Sequence, residues 1–289
     1  MTRRRNEAGR SDSSLAVALY SLLAIIITLI FFFPLYWAIS NSLREPAETF
    51  TVAGIGFPFL DFQPTLDNWL AEIEVKEAYN SFFNSIIVSS GSTLIALALG
   101  LPAAYALARF RFTKIKNKDL TVWFLSQRVL PPVATAVPFF FVFTTLGMQD
   151  SLYSLILINA TFILPFVVVI VRQTFQDLPI ELEEAALVDG ASHLRAFVRI
   201  AVPLAAPAIA ASALIMFAFA WNEYLFALIL SLTEASVMPT HIAGGADTRG
   251  VQFWFVAVRS LIAMVPPVLL ALFAQRYIVR GLTLGAVKG

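Results

Sequence analysis

The polar interval at residues 177–203, DLPIELEEAALVDGASHLRAFVRIAVP, decides how this chain is organised. A long apolar run precedes it at residues 152–171, and another follows it at residues 204–230. Each run is long enough to cross the hydrocarbon layer of a membrane as a helix, which takes roughly 20 residues. The interval is therefore predicted to be a structured loop between two membrane spans, with a surface suited to a partner.

Local signals inside the interval predict a short helix, a turn and a second short helix. Asp177 is predicted to cap the first helix, with Pro179 in its first turn and glutamates near its positive N-terminal end. Gly190 ends that helix because glycine adopts a left-handed backbone without strain. Ser192 is predicted to cap the second helix, and Pro203 to end it at the membrane. One face of the first helix, with two alanines that allow close approach of another surface, holds Leu182, Ala185, Ala186 and Asp189.

The composition of the whole chain places it among integral membrane proteins. Apolar residues make up 58% of the 289 positions, charged residues make up 13%, and the mean hydropathy is +0.78. The apolar residues lie in six runs, and their length and lack of alternation exclude transmembrane strands. The sequence thus predicts an all-α protein with six transmembrane helices at about residues 15–39, 85–107, 120–146, 152–171, 204–230 and 251–274.

The distribution of lysine and arginine predicts the orientation of these spans. Of the 20 basic residues, four lie before residue 11, five between residues 109 and 118, three between residues 172 and 199, and three after residue 275. The connections on the opposite side hold Arg44, Lys76 and Arg249. Because basic loops stay inside, both termini are predicted to be cytoplasmic. The predicted parts are a cytoplasmic tail at 1–14, a transmembrane domain at 15–275 with a cytoplasmic loop at 172–203, and a cytoplasmic tail at 276–289.

Several function classes have no support in the sequence. The chain has no cysteine and no glycine-rich phosphate-binding loop ending in Lys-Ser or Lys-Thr, and His193 and His241 fall on opposite sides of the predicted membrane. No Ser, His and Asp set and no carboxylate pair in one membrane layer indicates a hydrolase. The chain itself is therefore predicted to be no enzyme and to bind no cofactor, metal or nucleic acid.

Polar side chains inside the predicted spans are candidates for lining a translocation path. They are Arg128, Asn159, Asn222, Glu223 and Arg259. Such groups also pair across helices as contacts between spans, and both interpretations stay open. An autonomous secondary transporter or channel is the alternative function, with Glu223 as its coupling group because this is the only acidic residue within a predicted span. A membrane scaffold that recruits ATPases without transport is a second alternative.

The interval resembles the membrane permease subunits of binding-protein-dependent ABC importers. Their signature is Glu-Ala-Ala, three residues, Gly, nine residues, Ile, one residue and Leu-Pro. This chain has Glu184-Ala185-Ala186, Gly190, Ile200 and Pro203 at that spacing, with Val202 in place of the leucine. Further matches at residues 128–132 (RVLPP), 221–224 (WNEY), 281–283 (GLT) and 286–289 (AVKG) resemble the six-span partner subunit of the maltose-type carbohydrate permeases, which have the type I importer fold.

This resemblance implies an assembly and a set of residue roles. The chain is expected to form a heterodimer with a second permease in the inner membrane of a bacterium, in contact with lipid, with two ATPase subunits that bind ATP and Mg²⁺ and an external solute-binding protein. A sugar or related solute is then moved by alternating access. The implied ATPase-coupling residues are Glu184, Ala185, Ala186, Asp189 and Gly190. The tail residues Val287, Lys288 and Gly289 reach the ATPase interface, and the loop with Gly244, Gly245, Ala246 and Asp247 enters the binding protein.

Overall fold

The computed structural model describes residues 5–51, 55–127, 129–247 and 250–286, and this part of the chain is mainly helical. Within it, five helical segments are long and apolar enough to cross a membrane: Ala16–Ser42, Lys76–Arg109, Leu152–Asp177, His193–Trp221 and Phe253–Phe273. The mainly helical character and the presence of apolar spans are thereby confirmed, while the count of six spans and the side on which the termini lie stay predictions.

The described residues form the following helices and strands in chain order. The helices are α1 (Arg5–Ser42), α2 (Glu48–Thr51), α3 (Asp67–Glu74), α4 (Lys76–Arg109), α5 (Asn117–Ser126), α6 (Pro132–Thr145), α7 (Leu152–Asp177), α8 (Glu181–Val188), α9 (His193–Ala196), α10 (Val202–Trp221), α11 (Leu225–Leu230), α12 (Met238–Ala243) and α13 (Phe253–Ala286). A π-helical turn, Phe197–Ala201, joins α9 to α10. Two short strands, β1 (Ala246–Asp247) and β2 (Gly250–Val251), pair antiparallel.

The third predicted span, residues 120–146, consists of the end of α5 and all of α6. Pro131 has extended backbone angles, with φ −61° and ψ 129°, and Pro132 is the first residue of α6. A proline disfavours the helical conformation of the residue before it and lacks a backbone N–H, so the Pro131-Pro132 pair separates the two helices. Because α6 has 14 residues, it is too short to cross a bilayer alone.

The chain folds into two compact units. The first consists of the residues up to Glu74 together with Gly245–Leu261. Buried Arg44 organises the connection after α1: one of its terminal nitrogens donates to Ile55 O at 2.8 Å and to Ser40 Oγ at 3.1 Å. Gly56 lies against this guanidinium with φ +61°, and a Cβ at that position would fall 1.8 Å from Arg44 Nη2. Asn68 of α3 donates to Arg44 O at 2.7 Å, so α3 is fixed to the end of α1.

The second unit comprises Val75–Gly244 and Ile262–Gly289, and its core lies between α4, α7 and α10. A Cβ added to Gly100 of α4 would fall 2.7 Å from Val167 Cγ1 of α7, so glycine permits the close approach of these helices. The buried cluster beside this contact consists of Ala96, Ala104, Tyr105, Ile163, Val167, Val171, Phe175, Phe197, Ala201, Ala205 and Met216.

Asp150, between α6 and α7, fixes the connection that follows α11. Its two carboxylate oxygens accept hydrogen bonds from the backbone N–H groups of residues 232–235 at 2.9 to 3.1 Å, and from Thr233 Oγ1 at 3.0 Å. Burial acts to raise the pKa of the Asp150 carboxyl, but the four backbone donors stabilise the carboxylate and bring its pKa well below the usual range. The charged form is therefore the one that holds this connection.

Replacement of Asp150 by Asn is expected to loosen residues 231–235, because an amide offers one acceptor oxygen and turns its NH₂ toward backbone donors. A loss of about 1–2 kcal/mol of local stability corresponds to roughly tenfold faster amide exchange there at neutral pH. The folded pKa is depressed, so the contribution of Asp150 is complete above its unfolded pKa of about 4 and is lost as the pH falls below that value. The difference between wild type and variant should accordingly shrink on acidification.

Hydrogen–deuterium exchange of both proteins at matched pH measures this effect. Asp177→Asn is the matched control, since Asp177 is exposed and accepts one hydrogen bond in the described residues, from Gln173 at 3.3 Å. Equal exchange of residues 231–235 in wild type and Asp150→Asn at pH 7 would show that the carboxylate does not hold the connection.

Candidate functional site

Helix α8 begins differently from the sequence-based prediction. Asp177 is the last residue of α7, and the residue before α8 is Ile180, which has helical backbone angles and no side-chain cap. The predictions that Asp177 caps the first loop helix and that Pro179 lies in its first turn are therefore wrong: α7 continues past its apolar run to Asp177, and Pro179 lies in the connection to α8. The predicted enrichment of the first turn in acid is confirmed by Glu181, Glu183 and Glu184.

The end of α8 follows the prediction. Gly190 has φ +85°, in the left-handed region. Its N–H donates to Leu187 O at 3.1 Å, and the N–H of Ala191 donates to Ala186 O at 2.9 Å. These two bonds satisfy carbonyl groups that the helix leaves unpaired at its end, and they turn the chain sharply toward α9.

The second loop helix begins as predicted but does not end at Pro203. Ser192 Oγ accepts a hydrogen bond from the N–H of Arg195 at 3.3 Å, which confirms its role as a cap. The π-helical turn then leads directly into α10, so that residues His193–Trp221 form one helical span. Pro203 lies in the first turn of α10, and the wider π turn before it accommodates its missing N–H; the predicted helix end at Pro203 is therefore wrong.

The outward face of α8 is exposed in the isolated chain. Val188 is 87% exposed and Leu182 is 47% exposed, although both are apolar. Glu184, Ala185 and Asp189 are exposed beside them, Ala186 is partly buried, and Gly190 is exposed. We call the surface formed by Leu182, Glu184, Ala185, Val188 and Asp189 the α8 surface. Exposed apolar side chains next to a charged group and a small residue are typical of a protein-binding surface.

Glu183 has a different environment from its neighbour Glu184. It is buried, its Oε1 accepts a hydrogen bond from Arg109 Nε at 2.9 Å, and Arg109 Nη2 lies 2.8 Å from the same oxygen in an ion pair. Its Oε2 accepts from the hydroxyl of Tyr105 at 2.5 Å. Consecutive helical residues point about 100° apart, so one glutamate faces the spans while the next faces outward. From the sequence, Arg109 was assigned to the basic side of the membrane and Glu183 to the helix N-terminus, and their pairing was missed.

Asn222 and Glu223 lie where α10 ends and α11 begins. The Glu223 carboxylate accepts hydrogen bonds from the N–H groups of Phe226 at 2.8 Å and Ala227 at 3.2 Å, and thus caps α11. Asn222 Nδ2 donates to Ala218 O at 2.8 Å. Asn222 also lines a cavity of about 310 Å³ whose other walls are Trp221, Tyr224, Met238, Pro239, Ile242, Ala243 and Ala263.

The remaining predicted path residues occupy separate environments. Asn159 is buried, donates to Leu155 O at 2.9 Å, and lines a narrow cavity together with Glu223 and Ser85. Arg259 belongs to the first unit, where its Nε lies 2.8 Å from Glu72 Oε1. This is the pairing interpretation that the sequence left open for Arg259. Arg128 lies outside the described residues.

The other predicted contact residues fall at chain turns or beyond the described ranges. Gly244 follows α12, Gly245 O accepts from the N–H of Gln252 at 2.9 Å, and Ala246 and Asp247 form β1. Gly244 and Gly245 therefore lead into a short hairpin, and Ala246 and Asp247 form its first strand. The tail residues Val287, Lys288 and Gly289 lie outside the described residues.

Comparison with known proteins finds similar sequences that cover most of this chain. Residues 96–284 match the family described as binding-protein-dependent transport system inner membrane component. The trehalose/maltose transport system permease protein MalG of Thermococcus litoralis is 34% identical over 92% of this chain and 95% of its own length. The melibiose/raffinose/stachyose import permease protein MelC of Bacillus subtilis is 32% identical over 97% of this chain and 100% of its own.

A solved structure shares the fold. One chain of a bacterial ABC transporter involved in the import of the acidic polysaccharide alginate aligns with a TM-score of 0.75 and 21% identity, covering 93% of this chain and 98% of its own. A second structure, of a bacterial alginate ABC transporter in complex with an alginate pentasaccharide-bound periplasmic protein, aligns with a TM-score of 0.65 and 17% identity over 91% of this chain and 94% of its own.

Proposed function

We propose that this chain, which belongs to the family of binding-protein-dependent transport system inner membrane components, is one membrane-spanning subunit of an ATP-driven importer for a sugar or a related solute. The observation that carries the proposal is the α8 surface, which combines exposed apolar side chains, a carboxylate and a small residue on a loop that interrupts the membrane spans. The carbohydrate class is supported by relatives named for maltose, trehalose and melibiose permeases.

Energy for transport comes from two separate ATPase subunits that bind ATP and Mg²⁺, and this chain catalyses no reaction. One of the two ATPase subunits docks on the α8 surface, with Glu184, Ala185, Ala186, Asp189 and Gly190 at the contact. When ATP closes the two ATPases on each other, the docked helices move and the spans tilt from inward-open to outward-open. The tail residues Val287, Lys288 and Gly289 reach toward the interface between the ATPases.

The proposed topology has six crossings with both termini in the cytoplasm, in the inner membrane of a bacterium. The broken pair α5 and α6 makes the third crossing, and neighbouring protein satisfies the backbone groups at the break. The basic segment that begins at the end of α4 and the basic residues around α8 then lie on the cytoplasmic side, where the ATPases are. The span of α1, with 0% of its most apolar window buried within the chain, is left for lipid and for a second permease subunit that completes a heterodimer.

The solute passes along polar groups near the break between α10 and α11, where Asn222 lines the larger cavity. Asn159 and Glu223 line the narrow cavity nearby within the same unit, and Arg128 is a further candidate for the path. The hairpin with Gly244, Gly245, Ala246 and Asp247 contacts the external binding protein that delivers the solute. Glu223, on which an autonomous transporter would depend, is engaged as the cap of α11.

Affinity purification of the tagged chain from its native membrane in mild detergent tests this proposal. The expected result is co-purification of a second permease and an ATPase subunit, identified by mass spectrometry, with ATP hydrolysis in the eluate. Recovery of the chain alone, without ATPase, would contradict the importer function and favour an autonomous transporter centred on Glu223.

A further inference from the structure

We infer that Tyr105, Arg109 and Glu183 form a rigid link that transmits motion of α8 to the span α4. This positioning role rests on the proposed function, because it concerns how movement of a docked helix reaches the membrane. It assigns separate tasks to two adjacent glutamates: Glu184 faces the partner, and Glu183 faces the spans. We call the three residues the α4–α8 link.

The geometry of the link fixes both oxygens of the Glu183 carboxylate. Arg109, in the last turn of α4, donates from Nε to Oε1 with its Nη2 at 2.8 Å from the same oxygen, and Tyr105 donates to Oε2. The side chains of Arg109 and Glu183 are 9% and 7% exposed. A buried carboxylate with charged and neutral donors on separate oxygens has little rotational freedom, and water does not compete for its partners.

Arg109 also contacts the segment that leads into α8. Its Nη2 donates to Leu178 O at 3.1 Å, in the connection between α7 and α8. The guanidinium therefore holds α8 at its first turn and the connection just before it. A connection of three residues would otherwise be free to act as a hinge when α8 is displaced, and this contact limits that hinge.

Tyr105 extends the link to two further elements. Its ring lies 5.6 Å from the ring of Phe175 near the end of α7 and 4.8 Å from the ring of Phe197 in the π-helical turn before α10. All three residues belong to one buried cluster. A displacement of α8 is therefore passed to α4, α7 and α10 together, because densely packed side chains transmit strain rather than absorb it.

The experiment measures the α4–α8 distance with spin labels, since the chain has no native cysteine. Labels are placed on cysteines that replace Leu94 of α4 and Ile180, the cap residue of α8, which are 66% and 44% exposed and lie outside the α8 surface. The distance distribution is recorded by pulsed electron resonance on the purified complex, without nucleotide and with Mg-ATP and vanadate. The fraction of ATPase subunit retained is determined on the same samples.

The link predicts one narrow distribution in wild type that does not change between the two states. Glu183→Gln keeps the size of the side chain but removes its charge, and should at least double the width of the distribution in the vanadate state with ATPase still bound. Tyr105→Phe removes one hydrogen bond while keeping the ring packing and should give a smaller broadening. Glu181→Gln, an exposed position in the same helical turn, is the matched control and should give the wild-type result.

The outcomes separate the link from the function on which it rests. If ATPase stays bound and the distributions of Glu183→Gln and Tyr105→Phe equal that of wild type in both states, the link is overturned while the proposed function stands. If the wild-type preparation contains no ATPase, the proposed function is overturned, and the transmitting role with it.

Discussion

Replacement of Glu184 by Lys is expected to release the ATPase subunit that docks on this chain from the purified complex and to abolish ATP-dependent uptake. The side chain is exposed on the α8 surface, so the change reverses a charge at the proposed contact without disturbing the core. Loss of a charged contact at a buried interface costs about 2 kcal/mol or more, roughly a 30-fold loss of affinity. A lysine in the first turn also opposes the helix dipole. Quantitative mass spectrometry of the eluate measures the ratio of ATPase to this chain.

Asp119→Lys is the matched control for this prediction. Asp119 is likewise an exposed acid in the first turn of a helix, α5, so its replacement makes the same charge change away from the α8 surface. The control should keep the wild-type ratio, and both variants should be present in the membrane in normal amounts. A Glu184→Lys complex with the wild-type ratio of ATPase would show that docking does not use this face.

Removal of either partner from the pair Glu72 and Arg259 is expected to destabilise the first unit severely. The side chain of Glu72 is 0% exposed and that of Arg259 is 13% exposed, with 2.8 Å between Nε and Oε1. The Arg259 guanidinium also lies 5.6 Å from the centre of the Phe255 ring. Truncation of one partner removes a short charge pair from a buried position, which costs about 3–5 kcal/mol. Glu72→Ala and Arg259→Ala should therefore lower the melting temperature in detergent by on the order of 10 °C.

Two further variants identify the cause of that loss. Glu74→Ala, at an exposed position on the same helix α3, should melt like wild type. The double variant Glu72→Leu with Arg259→Met should regain much of the lost stability, because an apolar pair of similar volume removes both buried charges. Fluorescence-detected size exclusion after heating provides the melting curves. Single variants that melt like wild type would show that the pair does not hold α3 to the start of α13.

The sequence predicted best those features that depend on neighbouring residues. Gly190 and Ser192 were placed correctly because a helix end and a helix start each depend on the preference of one residue. The errors in the same loop have one cause. A proline or a capping residue has a local conformational preference, and the surrounding helix outweighs it. Thus α7 runs on to Asp177, and the π-helical turn carries the helix past Pro203.

The contacts that the sequence did not predict join residues far apart in the chain. Glu183 meets Tyr105 and Arg109 across more than 70 positions, and Asp150 holds residues more than 80 positions later. No periodicity or spacing in a single sequence indicates which of 19 acidic residues meets which basic residue after folding. The sequence does indicate that Glu183 and Glu184, which are adjacent on a helix, lie on different faces and have different surroundings. It does not indicate which residues contact them.

Site-specific cross-linking from α8 tests the docking of the ATPase most directly. A single cysteine in place of Val188, in a chain that has none of its own, carries a photo-reactive cross-linker in the native membrane. Docking on the α8 surface predicts a cross-linked product containing the ATPase subunit, and none from a cysteine in place of Glu74, which the proposed topology puts on the opposite side. A product with the ATPase from position 74, or none from position 188 in membranes that contain the ATPase, would contradict the proposed coupling surface.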